Sequence, residues 1–192
     1  MASTPSTAVS QSRVPSKTQS MAYIALFAVL IAVCSWISIP TIIPFTLQTF
    51  AVTLSVGVLG GRRGTLAVLI YLLLGAVGVP VFAGFSGGLG AFMGPTGGYL
   101  AGFIFTALVM WGIEALLGNK LWVRIVSMVL GLAVMYAFGT VWFMIVWART
   151  SGPISFGAAL LMCVVPYLIP EVVKTALSAI LSGRLRTILK LS

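Results

Sequence analysis

Residues 156–183 read "FGAALLMCVVPYLIPEVVKTALSAILSG", a run with one acid, Glu171, and one base, Lys174. A water-facing surface has no use for so long an apolar stretch, whereas about 20 such residues suffice to cross a bilayer. Pro166 and Pro170 exclude one straight helix, because proline lacks the amide hydrogen and clashes with the preceding turn. The expected form is a first piece, "FGAALLMCVV", and a second helix, "PEVVKTALSAILSG", with Pro170 near its start.

The rest of the chain has the same character. Hydrophobic residues make up 60% of its 192 positions and charged residues only 7%, against roughly 25% charged in a soluble domain. Eleven basic and two acidic residues cannot solvate a globule of this size, so the chain reads as an all-α integral membrane protein. Five further apolar segments lie at about 21–39, 45–60, 64–79, 96–118 and 121–148, making six expected transmembrane helices. Residues 1–20 are rich in Ser and Thr and contain Pro5 and Pro15. They lack the apolar core of a signal peptide and are expected to form a disordered cytoplasmic tail before one domain, 21–192.

Charge then sets the topology. Arg13 and Lys17 precede the first segment, Arg62 and Arg63 follow the second, Lys120 and Arg124 follow the fourth, and Arg184, Arg186 and Lys190 close the chain. With six alternating spans, all nine fall on one side, which places both termini in the cytoplasm. A nucleic-acid partner is not indicated, because the basic residues are dispersed between apolar runs. The outer side then holds the connection 80–95, "PVFAGFSGGLGAFMGP", long for a bundle and rich in glycine. Its aromatics Phe82, Phe85 and Phe92 point to a lid folded over the outer mouth.

Little equipment for catalysis is present. There is no histidine, which excludes histidine metal sites and histidine-containing triads. Cys34 and Cys163 stand apart inside apolar runs and read as buried hydrophobes. The stretch "GLGAFMG" resembles a nucleotide fingerprint only in its glycines, and neither a strand nor a Walker lysine accompanies it. No enzymatic activity and no metal are expected.

What remains are a few polar residues at membrane depth. Charges there are costly and mark function by default. Glu171 and Lys174, three apart, share a helix face. About 20 Å of helix separates Glu171 from Arg184 at 1.5 Å per residue, which puts the pair toward the outer part of the core. Glu114, near Lys120, reads as solvated at the inner interface. Gln48 lies about one turn inside the second helix and serves either an interhelical hydrogen bond or a ligand amide. Thr96 is placed to cap the fourth helix, while Gly94, Gly98 and Gly102 permit close packing beyond it. Ala25, Ala28 and Ala32 form a small-residue stripe on the first helix, suited to packing within the chain or to docking on another membrane protein. Trp36, Trp111, Trp122, Trp142 and Trp147 fall near helix ends, as interfacial belts do.

In order, "IPTIIPFTLQTFAV" (39–52), "GGLGAFMGPTGGYLAGF" (87–103) and "VPYLIPEVVK" (165–174), with the alanines of the first helix, resemble the BioY family over nearly the whole chain from about residue 21. These are the biotin-binding S components of energy-coupling factor (ECF) vitamin transporters. The resemblance implies an S-component fold with a Gly-rich extracellular loop between helices three and four. It implies high-affinity biotin capture from outside and uptake across the plasma membrane of a prokaryote. The implied partners are a transmembrane coupling protein and two cytosolic ATPases, with biotin as cargo and no cofactor. The expected substrate-binding set is Gln48, Phe82, Phe85, Thr96, Tyr99, Tyr167, Glu171 and Lys174; the expected partner contacts are Ala25, Ala28 and Ala32. The family usually has Asp where this chain has Glu171, a difference of one methylene. Glu171 is then suited to accept from the ureido N–H groups, and Lys174 to donate to the ureido oxygen or bind the carboxylate. An S component for another vitamin, or a structural membrane protein, is the alternative.

Overall fold

A computed structural model of the chain describes residues 16–41 and 43–189. The helices in it are α1 (Lys17–Trp36), α2 (Gln48–Leu59), α3 (Gly61–Ala76), α4 (Leu89–Met93), α5 (Gly97–Leu117), α6 (Leu121–Thr150), α7 (Phe156–Cys163) and α8 (Leu168–Leu189). A two-residue hairpin, β1 (Ser38–Ile39) against antiparallel β2 (Phe45–Thr46), joins α1 to α2. Lys17–Trp36, Gly97–Leu117, Leu121–Thr150 and the broken stretch Phe156–Leu189 are each long and apolar enough to cross a membrane.

Each expected segment holds a helix. The break in the last one falls at Val165–Tyr167, a single 3-10 turn that opens on Pro166 and hands over to α8 with Pro170 in its first turn. The start of α1 departs from expectation. Ser16 and Gln19 form a reciprocal capping box, with Gln19 N donating to Ser16 Oγ at 3.2 Å and Ser16 N to Gln19 Oε1 at 3.0 Å. Two otherwise unpaired amides are satisfied there, so the helix begins within the expected tail. Residues 1–15 of that tail lie outside the described residues.

The central post is α2. Apart from Phe50 every residue of it is buried, and α1, α3, α5 and α8 all pack on it. Enclosure on all sides explains how a helix carrying Gln48, Thr49, Thr53, Ser55 and Gly57 persists at membrane depth: its polar side chains meet protein rather than lipid. Gly60 alone separates α2 from α3, and its left-handed φ of +81° is open to glycine at little cost.

Packing between α5 and α6 rests on reciprocal glycines. A Cβ on Gly98 would collide with Trp142 and one on Gly102 with Met135, while Gly139 makes room for the Tyr99 ring and Gly131 for Thr106. Gly94 does not belong to this contact. It lies before the helix, and its carbonyl accepts from Trp142 Nε1 at 3.0 Å.

At the far end of α8 lies a pair that corrects the reading of Glu114. Instead of facing solvent near Lys120, Glu114 takes Arg186 Nη2 on Oε1 and Gly61 N on Oε2, both at 2.6 Å. The cause is the start of α3, whose unpaired amides and positive dipole end favour an anion. Arg186 also donates Nε to Gly57 O at 2.6 Å and is itself buried.

Gly98→Ala is expected to lower stability by about 1–3 kcal/mol, the usual cost of overpacking. Gly112→Ala on the same helix meets nothing within 4 Å and is expected to be neutral or stabilising by up to about 1 kcal/mol. Denaturant titration of both variants in micelles checks the pair; equal stabilities would refute the close approach.

Candidate functional site

The β1–β2 hairpin, the segment 80–95, the start of α5, the middle of α6 and the α7–α8 break meet around a cavity of about 110 Å³. Each element comes there for a local reason. The 3-10 turn at Pro166 swings Tyr167 across to the hairpin, where its hydroxyl donates to Ile43 O at 2.7 Å and its ring stacks on Phe45 at 6.2 Å. The segment 80–95 is pinned by Phe82, which is buried, presses against Gly75 on α3 and meets Tyr71 and Phe92 edge-on. From that anchor, Ala83, Ser86 and Ala91 line the cavity.

The polar end of the cavity is built around Lys174. Its ammonium lies 2.7 Å from Glu171 Oε2, 2.6 Å from Thr49 Oγ1 and 3.1 Å from Thr46 O. It also sits 4.8 Å from the centre of the Phe45 ring. Tyr136 on α6 donates its hydroxyl to Glu171 Oε2 at 3.0 Å. Glu171 Oε1 is buried and has no hydrogen-bond partner among the described residues. Both members of the pair are buried, at 7% and 6% exposure. Nearby, Gln48 Nε2 donates to Tyr71 Oη at 2.6 Å. Phe103, Met135 and Cys163 supply apolar wall. The arrangement offers a buried carboxylate oxygen with an unused acceptor site, a half-used amide and apolar surface: it can hold a small molecule that is polar on one part and apolar on another.

Seven residues of the expected set, Gln48, Phe82, Thr96, Tyr99, Tyr167, Glu171 and Lys174, border this one space. Phe85 does not. It follows Gly84 in a turn with φ of +55°, faces outward at 65% exposure and stacks on Trp36 at 5.2 Å. Thr96 borders the cavity but caps nothing; its backbone is already in the helical region, with φ −86° and ψ −10°, so its hydroxyl makes no cap bond. The small-residue stripe of α1 is turned the other way from a docking surface. Ala28 and Ala32 are in the core, where α1 packs on α2 and α3, and Ala25 alone of the three is exposed.

Sequence reasoning passed over Tyr136, Thr46 and Thr49. Tyr136 carried a usable signal: a phenol near the middle of a 30-residue apolar helix cannot sit in an interfacial belt and needs a partner. Thr49 carried none, since a helix hydroxyl can return its proton to its own backbone, and Thr46 takes part through its backbone carbonyl, a group every residue has.

A family model, described as the BioY family, matches residues 6–191. A probable biotin transporter BioY of Pyrococcus horikoshii is 40% identical over 171 residues, covering 88% of this chain and 98% of the relative. The biotin transporter BioY of Thermotoga maritima is 51% identical over 115 residues, covering 59% of this chain and 68% of the relative. A crystal structure of the S-component for biotin from an ECF-type ABC transporter superposes with a TM-score of 0.80 at 24% identity, covering 89% of this chain and 92% of the other. The two chains share a fold.

Lys174→Met alone would strand a buried carboxylate and is expected to cost about 3–5 kcal/mol of stability. Glu171→Leu with Lys174→Met removes both charges and should recover most of that loss. Unfolding in mixed micelles measures the difference. A single variant as stable as wild type would show that the pair is solvated rather than buried.

Proposed function

The chain belongs to the BioY family, and from that premise we propose that it captures biotin with high affinity from outside the cell, as the S component of an ECF transporter. It is a multi-pass membrane protein with an S-component fold. In the reading we propose, six segments cross the plasma membrane of a prokaryote, α2 and α3 being the short ones and α7 with α8 forming the last. Both termini then lie in the cytoplasm. Arg62 and Arg63 at the start of α3, Lys120 before α6 and Arg184 near the end of α8 support that orientation, since basic residues favour the cytoplasmic side. The domain is the bundle itself, preceded by a cytoplasmic tail.

The observation that carries the function is the buried Glu171–Lys174 pair bordering a partly open, mainly apolar space. Biotin suits such a site. Its ureido ring has N–H donors and an oxygen acceptor, and its thioether ring and chain are apolar. Gln48, Thr96, Tyr99, Tyr167, Glu171 and Lys174, with Phe82 from the cover, form the proposed biotin site. Energy comes from outside the chain: a transmembrane coupling protein and two cytosolic ATPases complete the transporter. Of the expected coupling contacts, Ala25 lies on the open face of α1, whereas Ala28 and Ala32 are packed inside.

The purified chain is expected to bind biotin below micromolar concentration and to prefer it to thiamin and riboflavin in competition. Glu171→Leu with Lys174→Met, the stable double variant, is expected to bind at least tenfold more weakly. Preference for another vitamin would keep the S-component assignment and overturn the cargo. Wild-type affinity in the double variant would remove the pair from the site.

A further inference from the structure

A lysine ammonium carries three protons and accepts nothing. All three of Lys174's have acceptors inside the protein: Glu171 Oε2, Thr49 Oγ1 and Thr46 O. The face of Phe45 covers the ammonium further. No proton is left for a ligand unless one of these bonds is broken. Glu171 is the opposite case. Oε2 holds two donors, Lys174 and the hydroxyl of Tyr136, while Oε1 is buried without any donor among the described residues.

Buried polar groups in folded proteins have partners, and an exception calls for a reason. Glu171 and Tyr136 border two spaces. One is the cavity of the proposed site; the other is a groove of about 510 Å³ between α6 and α8, walled otherwise by aliphatic side chains and Thr175. Lipid chains or apolar protein in that groove bring no donor. The cavity, whose wall also carries Gln48, Thr49 and Tyr167, is the one of the two spaces suited to a polar ligand that could partner Oε1.

We propose that Tyr136 is a positioning residue for substrate recognition: with Lys174 it holds Oε2 of Glu171, and so leaves Oε1 as the acceptor for an N–H group of the ligand. Lys174 thereby acts through Glu171, Thr46 of the hairpin and Thr49 of α2 rather than on the ligand. The bond from α6 fixes the carboxylate plane. Without it the carboxylate, tethered only by its neighbour one turn along α8, turns about its side-chain torsions and presents either oxygen. This inference rests on the biotin reading, in which the donor is a ureido N–H.

A double-mutant cycle on the full chain in lipid nanodiscs tests it, reading biotin affinity and melting temperature for wild type, Tyr136→Phe, Glu171→Gln and the pair. Phenylalanine keeps the ring and its edge-on contact with Tyr99, at 6.1 Å. Tyr136→Phe is expected to stay folded with a modestly lower melting temperature, the usual effect of deleting one hydrogen bond to a charge, and to bind biotin at least fivefold more weakly. In the Glu171→Gln background the same change is expected to cost less than twofold, because the carboxylate it orients is gone. Equal losses in both backgrounds would show a packing role, and wild-type affinity in Tyr136→Phe would show no role; either overturns the inference and leaves biotin capture standing. A wild-type chain that does not bind biotin overturns the proposed function and this inference together.

Discussion

Hydrocarbon offers no hydrogen-bond partners, so the polar groups on α2 and α8 must find partners within the bundle, and several of them do so across the interface the two helices share. The two helices meet along a seam with a four-residue step. On α8 it runs through Lys174, Ser178, Ser182 and Arg186; on α2 through Thr49, Thr53 and Gly57. Lys174 Nζ reaches Thr49 Oγ1 at 2.6 Å, Thr53 donates to Ser178 Oγ at 2.9 Å, and Arg186 Nε reaches Gly57 O at 2.6 Å. Between them Ser182 lies so close to Gly57 that a Cβ there would be 2.9 Å away. An acid closes each end, Glu171 at one and Glu114 at the other. The two acids of the sequence are thus spent on the two buried cations of one helix.

That seam explains why α2 is short and central. A helix with five small or polar side chains on it would be unstable against lipid. Surrounded by four others, it becomes the surface on which α8 is registered. The register in turn fixes the cavity, since moving α8 by one turn would take Lys174 from Thr49 and Arg186 from Gly57 at once. Site geometry and fold are therefore set by the same hydrogen bonds.

Much of this was legible in the sequence, and the reason is the medium. A membrane chain shows its buried charges as exceptions against an apolar ground, so Glu171 and Lys174 stand out on inspection. The proline break between α7 and α8 is equally plain, because proline acts on its own turn. What escaped were properties of pairs. Glu114 looked interfacial because its partner, Arg186, lies 72 positions away. Ala28 and Ala32 look the same whether a helix from this chain or from another covers them, and here α2 and α3 do. Phe85 and Phe82 are three residues apart in one glycine-rich segment, and only the turn at Gly84 sends one outward and the other into the core.

Glu171 itself shows how one methylene changes a site. The resemblance to the family set Asp as the usual residue at this position, which left the reach of the longer side chain open. Here the carboxylate touches both Lys174 on its own helix and Tyr136 on α6. An aspartate on the same backbone would fall about 1.5 Å short, one carbon–carbon bond, and the contact between the helices would lengthen beyond a hydrogen bond. The extra methylene therefore does more than shift a charge: it ties α8 to α6 at the level of the cavity, where the two helices otherwise flank an apolar groove. Tyr136 and Glu171 form a polar partition between that groove and the cavity, and the partition exists only because the acid is long enough to span it.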